Sequence, residues 1–315
     1  MTITKAKKPT RRAFSDALVE RGAVDESFVV LDADIGKSTY AHLFGDRFPE
    51  RYFNLGIAEM GMFSTAAGMA ASGCTVFASS YGVFITMRAL EAIRSFICYP
   101  NLDVKMLSSH GGLTAAIDGA THQATEDICN MSVLPNMHVL APADTVSAAA
   151  CVEIALATRG PVFTRLMRDP LYDIYDDDET FELGGSKTVR TGTDVTIVSY
   201  GDILFEAVKA AELLADQGIQ AEVIDTYSIK PYDREAVLKS VSKTGAIVVA
   251  ENHQLKNGFG YEIAHLLMRT QPIPFEALGI DDAFGESGDY YKLLDKFGIS
   301  ASHIAAAAER VVKAK

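Results

Sequence analysis

Apolar positions in TRRAFSDALVERG (residues 10–22) recur with the period of an amphipathic helix, with Thr10 as a candidate N-cap and Gly22 as a stop. SFVVLDADIG follows as a short apolar strand ending in acids. The alternation then repeats: RYFNLG, a helix over 55–71, CTVFASS, a helix in ITMRALEAIRSFICY, and LDVKMLSSHGG. Short strands rich in Val, Ile, Leu and Phe, separated by helices, are buried on both faces and predict a mostly parallel sheet.

Near residue 170 the texture changes. DPLYDIYDDDETFELGGSK holds a Pro, a run of acids and a Gly pair, the composition of an exposed connector. Beyond it DVTIVSYG, FEAVKAAELLADQG, QAEVIDTYSI, REAVLKSVSK, GAIVVAEN and GYEIAHLLMR form a second, smaller strand–helix series. The reading is an α/β protein of two domains, each a mostly parallel sheet flanked by helices: a basic arm over 1–9, a first domain over 10–170, a linker over 171–190 and a second domain over 191–315.

Composition narrows the function. With 315 residues, 48% hydrophobic content and 22% charged residues, the chain has the profile of an ordinary globular protein. A net charge of −12 argues against nucleic acid or an anionic membrane as main partner, so an anionic substrate needs a local cluster of cations. No segment reaches the ~18 continuous apolar residues of a membrane span. Cys74, Cys98, Cys129 and Cys151 are widely spaced with no CxxC pair, which favours a reducing, cytoplasmic setting. The basic start, MTITKAKKPTRR, reads as a solvated arm, with an organellar transit peptide as the alternative.

Two places suggest chemistry. In LGIAEMGMFSTAAGMAA (55–71) a single carboxylate, Glu59, sits among small and apolar side chains; it either faces water at a helix start or is kept for a reaction. The loop SSHGGLTAAIDGATHQATED (108–127) follows a strand and crowds His110, Asp118, His122, Gln123, Glu126 and Asp127 among glycines. A solvated surface loop is the plain alternative. His110 and His122, twelve apart, lack the spacing of a protein zinc site. GxGxxG at a strand–helix turn, GxxxxGK[ST] and GxSxG are all missing.

Taken together, LDADIGKST (31–39), FNLGIAEMGMFSTAAGMAASG (53–73), YGVFITMRALEAIR (81–94), DGATHQATED (118–127) and MHVLAPAD (137–144) resemble the pyrimidine-binding domain of transketolase, in this order and at similar spacings. The stretch after residue 190 is similar to the transketolase C-terminal domain. The resemblance implies thiamine diphosphate as cofactor, with Glu59 bonding N1′ of its aminopyrimidine. A carboxyl in a dry, apolar pocket would share a proton with that nitrogen and favour the imino form that activates the thiazolium carbon. It further implies Phe84 stacked on the pyrimidine, Tyr81 flanking it one helical turn earlier, and Asp34 and Ile57 beside the cofactor. His110, Asp118 and His122 would line the substrate channel, Asp118 on a sugar hydroxyl and the histidines on hydroxyls or in proton relay. Arg11, Ser38 and Arg165, with a histidine, would hold a distal phosphate. Three positions depart from the family pattern: Met60 and Ala120 replace the usual His or Gln and Pro, and Met87 stands where many members carry an aromatic residue.

The diphosphate-binding domain with its GDG-to-Asn motif has no counterpart; the lone GD at Gly201–Asp202 lies in the second domain. The expectation is therefore one subunit of a split transketolase, inactive alone. Its partner would be an N-terminal subunit carrying the diphosphate and Mg2+ ligands, in an α2β2 assembly built on a homodimer. It would transfer a two-carbon ketol unit between sugar phosphates. The alternatives are the β-subunit of a 2-oxo acid dehydrogenase, deoxyxylulose-phosphate synthase chemistry, and a non-catalytic subunit of the same fold.

Overall fold

Apolar strand segments become sheet and the segments between them become helix, in two mostly parallel sheets. The structure, a computed structural model, describes residues 3–315. In chain order the first part comprises β1 (Thr4–Lys5), α1 (Thr10–Gly22), β2 (Phe28–Asp32), α2 (Gly36–Thr39), α3 (His42–Arg47), β3 (Tyr52–Asn54), α4 (Glu59–Ala71), β4 (Thr75–Tyr81), α5 (Leu90–Ala92), β5 (Val104–Ser109), α6 (Asp127–Ser132), β6 (His138–Leu140), α7 (Thr145–Ala157), β7 (Val162–Arg165) and β8 (Tyr172–Asp173). The second comprises β9 (Lys187–Arg190), β10 (Val195–Ser199), α8 (Ile203–Ala215), β11 (Ala221–Asp225), β12 (Ser228–Lys230), α9 (Arg234–Thr244), β13 (Ile247–Gln254), α10 (Phe259–Thr270), β14 (Phe275–Ile280), α11 (Tyr290–Lys296) and α12 (Ala301–Lys313).

The larger sheet runs β12-β6-β7-β5-β4-β2-β3 and the smaller β14-β13-β10-β11-β9, all parallel except the edge strands β12 and β9. On one face of the larger sheet α1 and α7 pack together over Phe14, Leu18, Phe28, Phe77, Leu107 and Val152. The α4 side contributes Phe63, Ile93 and Val139 to a core that runs on into the second part through Val198, Ile224 and Phe259. One apolar core thus crosses the junction.

Four sequence expectations need correction. QAEVIDTYSI, read as one strand, divides: β11 stays in the smaller sheet and β12 crosses to pair antiparallel with β6, Ser228 opposite Leu140. The arm over 1–9 is not simply solvated, because β1 pairs with β8 and buries Ala6 and Pro9. Thr10 is the first helical residue rather than the cap; its Oγ1 accepts from the Met167 N–H at 2.7 Å, so its hydroxyl is spent on the neighbouring loop. The helix expected in ITMRALEAIRSFICY is interrupted by π-helical turns at Phe84–Arg88 and Ile93–Cys98, a distortion frequent at functional sites.

The acid-rich connector over 171–190 is partly built in. Asp144, buried at the N-cap of α7, accepts from Ser147 N (2.8 Å) and also from Ile174 N (2.9 Å) and Tyr175 N (2.8 Å) of that connector. No helix among the described residues is long and apolar enough to cross a membrane. Asp144→Ala would leave several buried donors without partners, at about 1–3 kcal/mol each, so a loss of about 3 kcal/mol or more is expected in urea unfolding. A loss below about 1 kcal/mol would mean the cap does not hold the connector.

Candidate active site

The loops at the carboxyl ends of β2, β4 and β5 converge, as they do in open parallel sheets. Tyr81, the last residue of β4 rather than a helical one, points its ring between the others: its centroid lies 4.0 Å from His110, 5.5 Å from Phe84 and 5.7 Å from His122. Phe84 meets His122 edge-on at 5.4 Å. The Tyr81 hydroxyl donates to Ser38 Oγ at 2.7 Å, and Arg11 Nη1 donates to Ser38 O at 2.5 Å and Ser38 Oγ at 3.1 Å. Six of the residues singled out in the sequence, Arg11, Ser38, Tyr81, Phe84, His110 and His122, therefore form one cluster.

Glu59 opens α4, where the helix dipole favours an acid, and is 5% exposed. Its surroundings differ from the dry apolar pocket expected. Arg88 Nη1 donates to Glu59 Oε1 at 2.9 Å, and the Arg88 guanidinium carbon stands 3.9 Å over the Phe84 ring. Arg88 was not legible as a site residue, although its place four after Phe84 on a helical segment puts the two within reach. Glu59 Oε2 has no hydrogen-bond partner among the described residues. Ile57, two residues earlier, is 76% exposed, and Asp34, in the left-handed region at φ 66°, accepts from Asn54 Nδ2 at 2.8 Å.

His110 is buried and also left-handed, at φ 65°. Its Nδ1 bonds Ser109 Oγ at 2.8 Å and its Nε2 lies 3.7 Å from Asp118 Oδ2. Burial, then the Arg11 and Arg168 guanidinium groups, push its pKa down to about 2, so it is a neutral imidazole and its approach to Asp118 is not an ion pair. His122 is part-exposed, with Nδ1 3.0 Å from Thr121 Oγ1. Asp118 is exposed and accepts from Arg168 Nε at 3.1 Å.

Arg165 is not where a phosphate could reach it. It is 4% exposed, its Nε donates to Asp127 Oδ2 at 2.8 Å, its Nη2 to Asn252 O at 2.7 Å, and its Nη1 lies 3.7 Å from Asp202 Oδ1. As the last residue of β7 it turns into the junction between the two parts. Arg168, three residues on, takes the open side: Arg11 Nε donates to its carbonyl at 2.9 Å, and five cations, Lys7, Lys8, Arg11, Arg12 and Arg168, with the carboxylates Asp16 and Asp169, line a cavity of about 430 Å³, in which Asp16 pairs with Lys8 and Arg12 and Asp169 with Arg168. TRLMRDP offers two arginines, and which of them is buried is not written in local sequence.

This is a two-domain α/β chain with a buried carboxylate at a helix start, a cluster of aromatic and histidine rings, and a mainly cationic cavity that Arg11 shares with that cluster. Residues 6–172 match the transketolase pyrimidine-binding domain and residues 184–304 the transketolase C-terminal domain, so the chain belongs to the transketolase family. It is 39% identical to the 6-deoxy-6-sulfo-D-fructose transketolase subunit SqwH of Clostridium sp. strain MSTE9, over 97% of this chain and 95% of that one. It is 32% identical to an apulose-4-phosphate transketolase subunit of Phocaeicola vulgatus, over 96% and 97%. A solved split-gene transketolase, an inactive β4 tetramer, superposes with a TM-score of 0.91 at 43% identity, covering 97% of this chain and 98% of that one. A transketolase variant from Pichia stipitis shares the fold at 21% identity and a TM-score of 0.82, with this chain covering 47% of it. The chain is accordingly a subunit of a split transketolase, a transferase that works with a partner subunit and, as the family implies, with thiamine diphosphate.

Because native His110 stays neutral while the unfolded chain protonates its histidines near 6.5, the native state binds fewer protons below that pH. Stability therefore falls as pH drops through 6.5, by up to about 1.4 kcal/mol per pH unit from this residue. In urea unfolding, the stability lost between pH 7 and pH 5 should be about 1–2 kcal/mol smaller in His110→Gln than in the wild type. Equal losses would contradict a neutral, buried His110.

Proposed function

We propose that the chain is the pyrimidine-binding half of a two-subunit enzyme that moves a two-carbon ketol unit from a ketose phosphate to an aldose phosphate. The observation that supports this most is Glu59, buried at the start of α4, joined through Arg88 to the Phe84 ring and with one oxygen unpaired among the described residues. That oxygen suits the N1′ proton of an aminopyrimidine, and Phe84 suits stacking on its ring, worth ~0.5–1.5 kcal/mol beyond area burial. Bound thiamine diphosphate supplies the nucleophilic carbon and the electron sink. Arg88 now uses the same two partners, so it has to shift where the ring takes them.

On the substrate side His122 and Asp118 face the channel and hold sugar hydroxyls, with His110 acting as a neutral hydrogen-bonding group. Arg11, Ser38 and Arg168 hold the terminal phosphate; Arg168 takes the role that the sequence suggested for Arg165. The cationic cavity suits an anionic substrate, and the histidines and Asp118 of the neighbouring loop, able to hold hydroxyls, favour a phosphorylated sugar over the 2-oxo acid of a dehydrogenase β-subunit. Asp34 and Ile57 sit where a partner's cofactor half would close on this one.

The partner is an N-terminal transketolase subunit that carries the diphosphate and Mg2+ ligands. Exposed Phe53, Ile57, Met60, Phe96 and Tyr99 give the α4 side an apolar surface suited to a homodimer within an α2β2 assembly. The four unpaired cysteines suit a cytoplasmic enzyme.

With the partner present, Glu59→Gln should keep the fold and lower transfer ~10²–10⁴-fold, the usual cost of removing a general acid–base group. Turnover within about threefold of wild type would remove Glu59 from the chemistry. Arg168→Ala should raise KM about tenfold or more for phosphorylated donors and leave unphosphorylated ones nearly unchanged. Equal effects on both donor types would move Arg168 out of the phosphate site.

A further inference from the structure

The segment that carries His110, Asp118 and His122 belongs to the first domain by sequence, yet most of its anchors come from the second. Asn252, fully buried at the end region of β13, accepts from Leu113 N through Oδ1 at 2.9 Å and donates through Nδ2 to Asp202 Oδ2 at 2.6 Å. Asp202 also accepts from the Tyr290 hydroxyl at 2.5 Å, so the acceptor is itself fixed. Gln123 Nε2 donates to Glu286 O at 2.9 Å, and Gln254 N donates to Thr125 O at 2.7 Å. Leu113 and Ala116 pack into the core of the smaller sheet with Val195, Ile203 and Tyr290.

Arg165 locks the same loop from below. It bonds Asp127 at the loop's far end and the Asn252 carbonyl on the other domain. A Cβ at Gly111 would stand 2.6 Å from Arg165 Nε, and one at Gly112, which has φ +55°, 2.5 Å from Asn252 Cγ, so the loop backbone lies directly against both side chains. Between these anchors Ala116 is held at φ 50°, ψ −109°, a conformation an alanine keeps only where its surroundings impose it.

We infer that Asn252 and Gln123 are positioning residues through which the C-terminal domain sets the geometry of the substrate loop. They touch neither cofactor nor substrate; they fix the backbone from which His110, Asp118 and His122 project. This rests on the proposed role of those three residues. It gives the second domain a task in transfer besides assembly, because a displacement of about 1 Å in such a loop can cost ~10²-fold in rate. Glu59 and Phe84 lie on α4 and the turn after β4, and the clamped loop reaches Phe84 only through an edge contact of His122, so a displaced loop disturbs donor binding far more than cofactor affinity.

Two variants test it: Asn252→Ala, and Gln123→Ala, which removes bonds to backbone carbonyls only, leaves the Arg165–Asp202 cluster untouched and keeps the test available where the first does not fold. In hydrogen exchange on the chain alone, the amides of residues 111–118 should exchange about tenfold faster or more in both variants. In complex with the partner, KM for the ketose donor should rise and kcat fall by ~10–100-fold together, with the thiamine diphosphate Kd within about threefold of wild type. Unchanged exchange, unchanged donor kinetics, or a loss of donor and cofactor affinity in the same proportion would each overturn the clamp. A wild-type complex that transfers no ketol unit would overturn the transketolase reading instead, and the exchange result would still decide whether the second domain holds the loop.

Discussion

The site depends on a guanidinium that is almost entirely withdrawn from water. Arg165 is enclosed with two carboxylates, Asp127 and Asp202, at the junction of the domains. Burial alone would lower its pKa; the two carboxylates outweigh that and raise it, so it stays charged. Burial keeps both carboxyls above the usual range while Arg165 pulls them back, and Asn252 and Tyr290 supply further hydrogen bonds to Asp202. Such clusters add little net stability compared with a well-packed apolar core, but removing one member leaves an uncompensated charge with its full desolvation cost. Their effect is geometric. This one ties together β7, β13 and the loop between β5 and α6, and that loop carries His110, Asp118 and His122, the side chains proposed to meet the substrate.

From this constraint the two chemical regions separate. Above it, the neutral His110 packs on Tyr81, whose hydroxyl ties Ser38 and Arg11 to the aromatic cluster and leads to the cationic cavity. Beside it, α4 presents Glu59 to Arg88, whose guanidinium lies over the face of Phe84. The overall charge of −12 is thus compatible with an anionic substrate, because the cations are gathered at one place where β1 pairs with β8 and holds the basic arm down.

The strand and helix alternation was legible because parallel strands buried on both faces must be apolar throughout, and the family motifs singled out Tyr81, Phe84, His110 and His122, which cluster, and Glu59, which opens α4 and reaches Phe84 through Arg88. What could not be read depended on partners distant in sequence. Arg165 and Arg168 are chemically equivalent in TRLMRDP; only Asp127 and Asp202, far along the chain, decide that the first is buried. The apolar company of Glu59 hid Arg88, since a residue 29 positions away supplies the contact. QAEVIDTYSI reads as one strand because its residues suit any sheet, while the break after Asp225 sends β12 to a partner, β6, that lies far away in sequence. The arm looked free because two-residue pairings leave no periodicity.

Half of a cofactor site binds weakly on its own. One stack and one charge-assisted hydrogen bond amount to a few kcal/mol against the cost of association, which corresponds to affinity no better than about millimolar. The most direct measurement is calorimetric titration of thiamine diphosphate with Mg2+ into the purified chain, and into the chain with its co-purified partner. Binding weaker than about millimolar for the chain alone and micromolar for the pair is the predicted result. Micromolar binding by this chain alone would contradict a cofactor site divided between two subunits.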